Sequence, residues 1–246
     1  GLAYQGKIPF ATTFSVFTCM RAVEQIRNSI CYANANANIV GTHSGLETGG
    51  DGGTHQGIED IAIMRALPNM TVFVPSTPIC TRAITRAMAA YDGPSYMRLG
   101  KDVAPELYAD GQKFEIGGCN TLREGKDITV IACGNMVWRS LEAAKTLEKE
   151  GVDVRVIDMY SIKPIDKDAI IKAAKETRAI LTVEDHNVIG GMGGAVAEVL
   201  CEYAPAKLRR MGLQDKFGRS GNADKLYEIY HLTSEDIAQA CREIIK

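Results

Sequence analysis

A glycine-rich stretch at residues 41–58 carries the side chains of this sequence that are best suited to chemistry. It holds seven glycines together with His43, Asp51 and His55. Glycine lets the backbone approach a ligand closely, while imidazole and carboxylate groups can exchange protons and hydrogen bonds with a substrate. We expect the Asp51 carboxylate to face inward beside the imidazoles, so the stretch predicts the wall of a substrate site. An ordered turn, or a metal site built from the same three residues, is the alternative.

Four further residues are candidates because of where they fall in the predicted strands and helices. Phe14 and Phe17 lie three residues apart where a strand turns into a helix, so both rings could face one cleft, although core packing is the ordinary use of such a pair. Arg98 and Lys101 end the last strand of the first predicted sheet. In a parallel sheet these cations lie at the same edge as the glycine-rich stretch, where they anchor an anionic substrate or are simply solvated.

Apolar strand-like runs alternate with helical patterns along the whole chain, which is typical of mainly parallel sheets. Two such series are separated by residues 101–126, which contain several glycines and a proline. We therefore predict an α/β protein of two domains, each a mainly parallel sheet with helices on both faces. The crossing between them is expected near Asp102–Phe114, which gives domains at residues 1–108 and 109–246.

A second glycine cluster, GGMGG at residues 190–194, also follows a predicted strand and opens a helix. The dinucleotide-binding pattern breaks at Val196, and no acidic residue ends a strand about 20 residues later. We interpret the cluster as a tight, closely packed turn, with a subunit contact as one use for it.

The composition is that of an ordinary globular protein, with 46% hydrophobic and 24% charged residues among 246. A net charge of −2 provides no basic field for a nucleic-acid backbone. Seven cysteines without a Cys-x-x-Cys pair favour a reducing compartment. No apolar stretch approaches the ~20 residues that a membrane span requires. We therefore expect a cytoplasmic protein that binds neither nucleic acid nor membrane.

Several segments, taken in order, resemble the transketolase family, in particular its pyrimidine-binding domain followed by its carboxyl-terminal domain. The matching pieces are TFSVF at 13–17, THSGLETGGDGGTHQ at 42–56, IEDIAIMRALPNMTVFVPS at 58–76, EDHNVIGGMGG at 184–194 and DKFGRSG at 215–221. The likeness covers nearly the whole chain, and its Asp-Gly-x-Thr-His-Gln element is specific.

The resemblance implies a role for each candidate. Phe14 and Phe17 would lie against the aminopyrimidine ring of thiamine diphosphate, and His55 would sit beside the reacting carbonyl as a hydrogen-bond donor or proton shuttle. Asp51 would accept a hydrogen bond from a sugar hydroxyl. The implied reaction transfers a two-carbon ketol unit between sugar phosphates, as in the pentose phosphate pathway of carbohydrate metabolism. The cofactor carries the electrons, while the protein positions groups and moves protons.

The same resemblance places a phosphate-binding end in the site. His43, which is also counted among the catalytic groups, would hold the terminal phosphate together with Lys101, and Arg98 is a further candidate. Lys101 stands where the family usually has arginine, and Gly50 where it usually has glutamate. Because an ammonium cannot reproduce the two-pronged hydrogen bonding of an arginine, we expect phosphate recognition to be weaker or tuned to another sugar.

Two parts of the family's cofactor site have no counterpart in this sequence. The glutamate that hydrogen-bonds the pyrimidine would fall before Gly1, and we expect further residues there in the natural protein. The diphosphate-binding domain is missing as well, since GGDGG at 49–53 belongs to the substrate loop, so no metal ligand is expected in this chain. The resemblance therefore implies a split enzyme, inactive alone, whose amino-terminal partner subunit holds the diphosphate and Mg²⁺. Two copies would form a dimer within a heterotetramer.

Three other functions remain open at this point. Two are enzymes of the same architecture, a 1-deoxyxylulose-5-phosphate synthase and the beta subunit of a 2-oxoacid dehydrogenase complex. The third is a scaffold subunit without catalytic activity, which is an alternative because the glutamate that hydrogen-bonds the pyrimidine is missing. The loop with His43 upstream of Thr-His-Gln, together with DKFGRSG, favours transketolase.

Overall fold

The computed structural model describes all 246 residues, which fold into two five-stranded sheets. The strands in chain order are β1 (Phe10–Phe14), β2 (Asn38–Thr42), β3 (Thr71–Phe73), β4 (Ser95–Arg98), β5 (Asn120–Arg123), β6 (Ile128–Ala132), β7 (Val154–Asp158), β8 (Ser161–Lys163), β9 (Ile180–Asn187) and β10 (Leu208–Leu213). The α-helices are α1 (Val23–Gln25), α2 (Asp60–Ala66), α3 (Pro78–Ala90), α4 (Met136–Glu148), α5 (Lys167–Glu176), α6 (Met192–Tyr203), α7 (Ala223–Ile229) and α8 (Ser234–Ile245).

The first sheet has the order β1-β2-β4-β3-β8 and the second the order β10-β9-β6-β7-β5. Within each sheet four strands are parallel and one edge strand, β8 or β5, runs antiparallel. Strands β6 and β7 are buried along their whole length, as expected when helices cover both faces of a parallel sheet. The predicted α/β fold with two mainly parallel sheets is confirmed.

Strand β8 links the two halves of the chain, because it follows β7 of the second sheet but pairs with β3 of the first. Neither β8 nor β5 was expected from the sequence, since three or four residues are too few to show an alternating pattern. The domain boundary between residues 108 and 109 stays a prediction.

The hydrophobic core crosses from one sheet to the other. One buried cluster contains Ile61 and Val72 from the first half of the chain together with Ile131, Ile157 and Met192 from the second. The two sheets are therefore packed through a common interior, and their facing loops are held at fixed positions.

Local sequence signals account for the helix ends that position the site. The Thr77 side chain accepts a hydrogen bond from the Cys80 backbone N–H, and Pro78 occupies the first turn of α3. Thr233 and Asp236 form a capping box at the start of α8. The helical segment after β1 is irregular, since π-helical turns at Phe17–Arg21 and Ile26–Cys31 flank α1.

None of the helices combines the length and the apolar composition that crossing a lipid bilayer requires.

Candidate active site

The pairing of β1 with β2 brings the first two candidate rings together. Phe14 is the last residue of β1 and lies opposite Thr42, the last residue of β2. His43 follows directly, with a φ of 53° in the left-handed region that few non-glycine residues adopt. Its imidazole stacks on the Phe14 ring, with centroids 4.0 Å apart and planes inclined by 8°. The carboxyl ends of adjacent parallel strands, where α/β proteins bind ligands, thus carry both residues.

Phe17 and His55 complete a cluster of four rings. Phe17 stacks on Phe14 at a centroid distance of 5.8 Å, and His55 lies edge-on to both phenyl rings, 5.4 Å from Phe17 and 6.1 Å from Phe14. The Nδ1 atom of His55 is 3.0 Å from the Thr54 hydroxyl. All four rings are half-buried. We call these residues, Phe14, Phe17, His43 and His55, the ring cluster.

The ring cluster has the chemistry to hold the pyrimidine end of a thiamine cofactor. Stacked, half-buried phenyl faces beside two imidazoles suit a flat heterocycle that has both an aromatic surface and hydrogen-bonding nitrogens. The chain brings no three His, Cys, Asp or Glu side chains together in a group that could hold a metal ion. Its stacked rings therefore fit a flat heterocycle such as a pyrimidine ring.

The loop between β2 and α2 also contains a carboxylate, but Asp51 is not the one that faces inward. Asp51 ends a 3-10 helix at Gly45–Asp51 and is exposed, which corrects our expectation of its orientation. The inward carboxylate is Glu47, which is 9% exposed. It accepts hydrogen bonds from the Lys101 backbone N–H at 3.1 Å and from the Asn135 side chain at 2.8 Å. Burial raises the pKa of Glu47 above its usual value.

Arg98 does not offer a free guanidinium to a substrate. Its Nε atom lies 3.0 Å from both carboxylate oxygens of Asp60, and its Nη2 donates to the carbonyl oxygens of Gly57 and Asp185. The side chain is 5% exposed, and the Asp60 and Asp185 charges raise its pKa against the effect of burial. The prediction of Arg98 as a phosphate ligand is therefore corrected: it ties the two domains together.

Lys101, in contrast to Arg98, has an exposed and unpaired charge. It is exposed, its ammonium forms no hydrogen bond or ion pair within the chain, and it borders a cavity of about 390 Å³ at the carboxyl ends of strands from both sheets. Ser44, Thr77, Arg82 and the buried Arg98 line the same cavity. Lys101 is therefore free to meet an anionic group, while the structure shows no contact between it and the ring cluster.

The second glycine cluster forms a contact between the domains. The Glu184 carboxylate accepts hydrogen bonds from the backbone N–H groups of Met192 and Gly193, at 2.7 and 2.8 Å, so the start of α6 is already occupied by an anion of the chain itself. The Gly190 carbonyl accepts a hydrogen bond from Arg65 of α2. Desolvation raises the pKa of Glu184 to about 7. The turn is closely packed as expected, and it packs against the other half of the same chain.

Several residues that shape the site gave no signal in the sequence. Asp185, Asn135 and Tyr227 come from three separate elements and meet at one point behind the loop. Their role is identified only by these three-dimensional contacts, although Asp185 lies within the EDHNVIGGMGG segment quoted above.

Two α/β domains with a ring cluster at the carboxyl ends of parallel strands are typical of ligand-binding α/β proteins. Comparison with known proteins identifies the family. The family model described as "Transketolase, pyrimidine binding domain" matches residues 1–106, and that described as "Transketolase, C-terminal domain" matches residues 117–237. The chain belongs to the transketolase family.

Individual relatives are similar over the whole chain. A protein of Methanocaldococcus jannaschii named as a transketolase C-terminal section is 45% identical over 249 residues, which cover 100% of this chain and 78% of that protein. The 6-deoxy-6-sulfo-D-fructose transketolase subunit SqwH of a Clostridium species is 40% identical over 99% of this chain and 76% of its own length. A solved structure described as "Split gene transketolase, inactive beta4 tetramer" is 47% identical and superposes with a TM-score of 0.93. The match covers 99% of this chain and 78% of the chain in that structure.

Proposed function

We propose that this chain is one subunit of a thiamine diphosphate-dependent transketolase that transfers a two-carbon ketol unit between sugar phosphates. The ring cluster is the observation that carries the proposal. It joins two stacked phenyl rings and two imidazoles at a single strand edge, and the family membership gives that arrangement its chemical context. We place the activity in the cytoplasm and in carbohydrate metabolism, with the pentose phosphate pathway as its setting.

The chain's own residues are assigned to orientation and proton movement. Phe14 and Phe17 form the surface on which the pyrimidine ring lies, and His55 is within reach of both rings to hydrogen-bond the substrate or move its proton. Asp51, exposed at the end of the 3-10 helix, accepts a hydrogen bond from a sugar hydroxyl. When bound, thiamine diphosphate supplies the electron sink that allows the carbon–carbon bond next to the carbonyl to break.

We assign the substrate's terminal phosphate to His43 and Lys101. The left-handed backbone of His43 is stabilised by Thr48, whose hydroxyl donates to the His43 carbonyl at 2.6 Å, so the imidazole is held in place before a substrate arrives. Lys101 contributes a free, exposed ammonium. A single ammonium recognises charge more than geometry, so the site would accept sugars of different length provided that they end in an anion.

We further propose that a separate subunit supplies the diphosphate- and Mg²⁺-binding domain. The chain has no metal-binding group of its own, and the similar split-gene structure is titled as an inactive tetramer of beta chains. Activity would therefore require an amino-terminal partner, assembled with two copies of this chain in a heterotetramer.

The test is a ketol-transfer assay with xylulose 5-phosphate as donor and a phosphorylated aldose as acceptor, in the presence of thiamine diphosphate and Mg²⁺. We expect turnover only when this chain and its partner are mixed. The His55→Ala variant should lose at least about a hundredfold in kcat, the usual size of a lost general acid–base contribution. The matched control is His231→Ala, which changes an exposed histidine far along the chain. Wild-type turnover by His55→Ala would remove His55 from the reaction, and no turnover by the wild-type mixture would contradict the proposed function.

A further inference from the structure

The loop that carries the candidate catalytic groups is anchored in the other domain. We call residues 43–56 the substrate loop. Leu46, within it, and Ile58, just after it, are almost fully buried in the hydrophobic cluster built from β6, β9, α4 and α8 of the second domain. The Ile58 carbonyl also accepts a hydrogen bond from the Asn187 backbone N–H at 2.8 Å. The loop therefore belongs to the first domain by sequence but is packed as part of the second.

A single buried carboxylate fixes the start of the substrate loop. Both oxygens of Asp185 accept from the Leu46 backbone N–H, at 3.1 and 3.0 Å, and the Tyr227 hydroxyl donates to the same carboxylate at 2.8 Å. Gly45 has a φ of 70°, and a Cβ at that position would lie 2.2 Å from Asp185 Oδ2. The carboxylate thus touches the loop backbone directly, and only glycine fits beside it.

A second contact fixes the end of the loop. It comes from residues 218–221, which we call the clamp segment. The Ser220 hydroxyl donates to the Gly50 carbonyl at 2.6 Å, and the Gly221 N–H donates to the Gly49 carbonyl at 3.3 Å. The Gln56 side chain donates to the Arg219 carbonyl at 3.2 Å. These hydrogen bonds surround the part of the loop that holds Asp51 and His55.

We propose that Asp185 and the clamp segment are positioning groups, through which the carboxyl-terminal domain sets the conformation of the substrate loop. A stretch with so many glycines has a high conformational entropy when free and few side chains with which to restrict itself. The restriction must therefore come from outside, and the contacts come from β9, α7 and the clamp segment. The catalytic consequence rests on the proposed function, whereas the control of loop conformation does not.

Hydrogen–deuterium exchange of the full chain tests the clamp contact without any assay of activity. A Cβ at Gly53 would lie 2.5 Å from the Gly218 carbonyl, so Gly53→Ala should push the two segments apart. The matched control is Gly50→Ala, three residues away in the same loop, where a Cβ meets nothing within 4 Å. We expect the Gly53 variant to exchange the amides of residues 45–56 roughly tenfold faster, with strands β6 and β9 unchanged. Equal exchange in the two variants would overturn the role of the clamp segment.

The Asp185 contact has its own pair of variants, because Asp185 itself is so buried that replacing it could prevent folding. Tyr227→Phe removes one hydrogen-bond donor from the carboxylate, and Tyr203→Phe removes an exposed hydroxyl on α6 as the control. Faster exchange confined to the start of the substrate loop in Tyr227→Phe supports the inference. Unchanged exchange there overturns it.

The kcat of the reconstituted enzyme distinguishes a positioning role from a merely structural one. In the mixture with the partner subunit, Tyr227→Phe should lower kcat about fivefold or more while the thermal midpoint of the chain stays within a few degrees, because a loosened loop spends less time in the reactive geometry. An unchanged kcat in an active mixture, despite faster loop exchange, would contradict the catalytic consequence. An inactive wild-type mixture would instead count against the proposed function and leave the exchange results to decide on loop positioning.

Discussion

Two cations at the carboxyl end of β4, Arg98 and Lys101, have different surroundings. Arg98 is buried and already bonded to Asp60, Gly57 and the backbone of Asp185. Lys101, three residues later, has left the strand and is exposed. A buried charge must be paired, and the pair forms where packing brings an opposite charge. The sequence position alone indicated the same uses for both cations, whereas the contacts of Arg98 give it a structural role that Lys101 does not share.

The Arg98–Asp60 pair leads to a prediction for stability. Asp60→Asn leaves the guanidinium buried without its carboxylate, and breaking such a pair typically costs about 3–5 kcal/mol of unfolding free energy. It also weakens the hydrogen bond that the Tyr96 hydroxyl donates to Asp60 at 2.6 Å. Urea denaturation would measure the loss, with Asp102→Asn, an exposed aspartate, as the control. A loss below about 1 kcal/mol, the range of exposed pairs, would show that Arg98 does not depend on Asp60.

At the scale of elements, the end of β7 is a point where several segments meet. Asp158 closes that strand and accepts hydrogen bonds from the Ser76 hydroxyl, which lies after β3, and from the Tyr108 hydroxyl in the connection between the domains. Its Oδ1 atom is buried without a partner. Desolvation is the main cause that raises the pKa of Asp158 to about 7.

This raised pKa predicts a pH dependence with a definite sign. The folded carboxyl keeps its proton between about pH 4 and 7, where the unfolded one has lost it, so its contribution to the unfolding free energy falls by about 4 kcal/mol as pH rises through that window. The Asp158→Asn variant cannot titrate there. Urea denaturation across this range should show the variant gaining stability relative to the wild type as pH rises.

The control for the pH series is Asp110→Asn, which replaces an exposed aspartate in a turn. Its unfolding free energy should run parallel to that of the wild type at every pH. If Asp158→Asn also runs parallel to the wild type, burial does not raise the pKa of Asp158 in the folded protein.

The elements that sequence reasoning predicted are those with a long periodic pattern or a strong cap. The parallel strands, the helices between them and the Thr233 capping box follow from such local signals. Strands β5 and β8 and helix α7 were missed because each is short and is stabilised mainly by tertiary contacts. Each member of the ring cluster was a candidate in the sequence, but their contact with one another is seen only in the structure. The burial of Glu47 and Arg98 was not predicted, because it depends on contacts with residues far along the chain.

At the scale of the whole molecule, the two domains act as one body around the substrate loop. Leu46 is packed in the core of the second domain, Arg98 donates to the Asp185 carbonyl, and β8 adds a strand from the second half of the chain to the first sheet. The first domain supplies the ring cluster, while the second fixes the loop beside it. Under the proposed function, both domains would contribute to one half of a cofactor site and a partner subunit to the other half.

The binding of thiamine diphosphate tests this account most directly. Calorimetric titration in the presence of Mg²⁺ should show tight binding by the mixed subunits and none by this chain alone. Phe17→Ala in the mixture should weaken binding by about 1–3 kcal/mol, or roughly 5- to 150-fold, through the loss of a stacking surface. Tyr32→Ala, which removes an exposed ring, should leave it unchanged. Two results would contradict the claim that the ring cluster forms half of a shared cofactor site. One is tight binding by this chain alone, and the other is an unchanged affinity of the mixture when Phe17 is replaced by alanine.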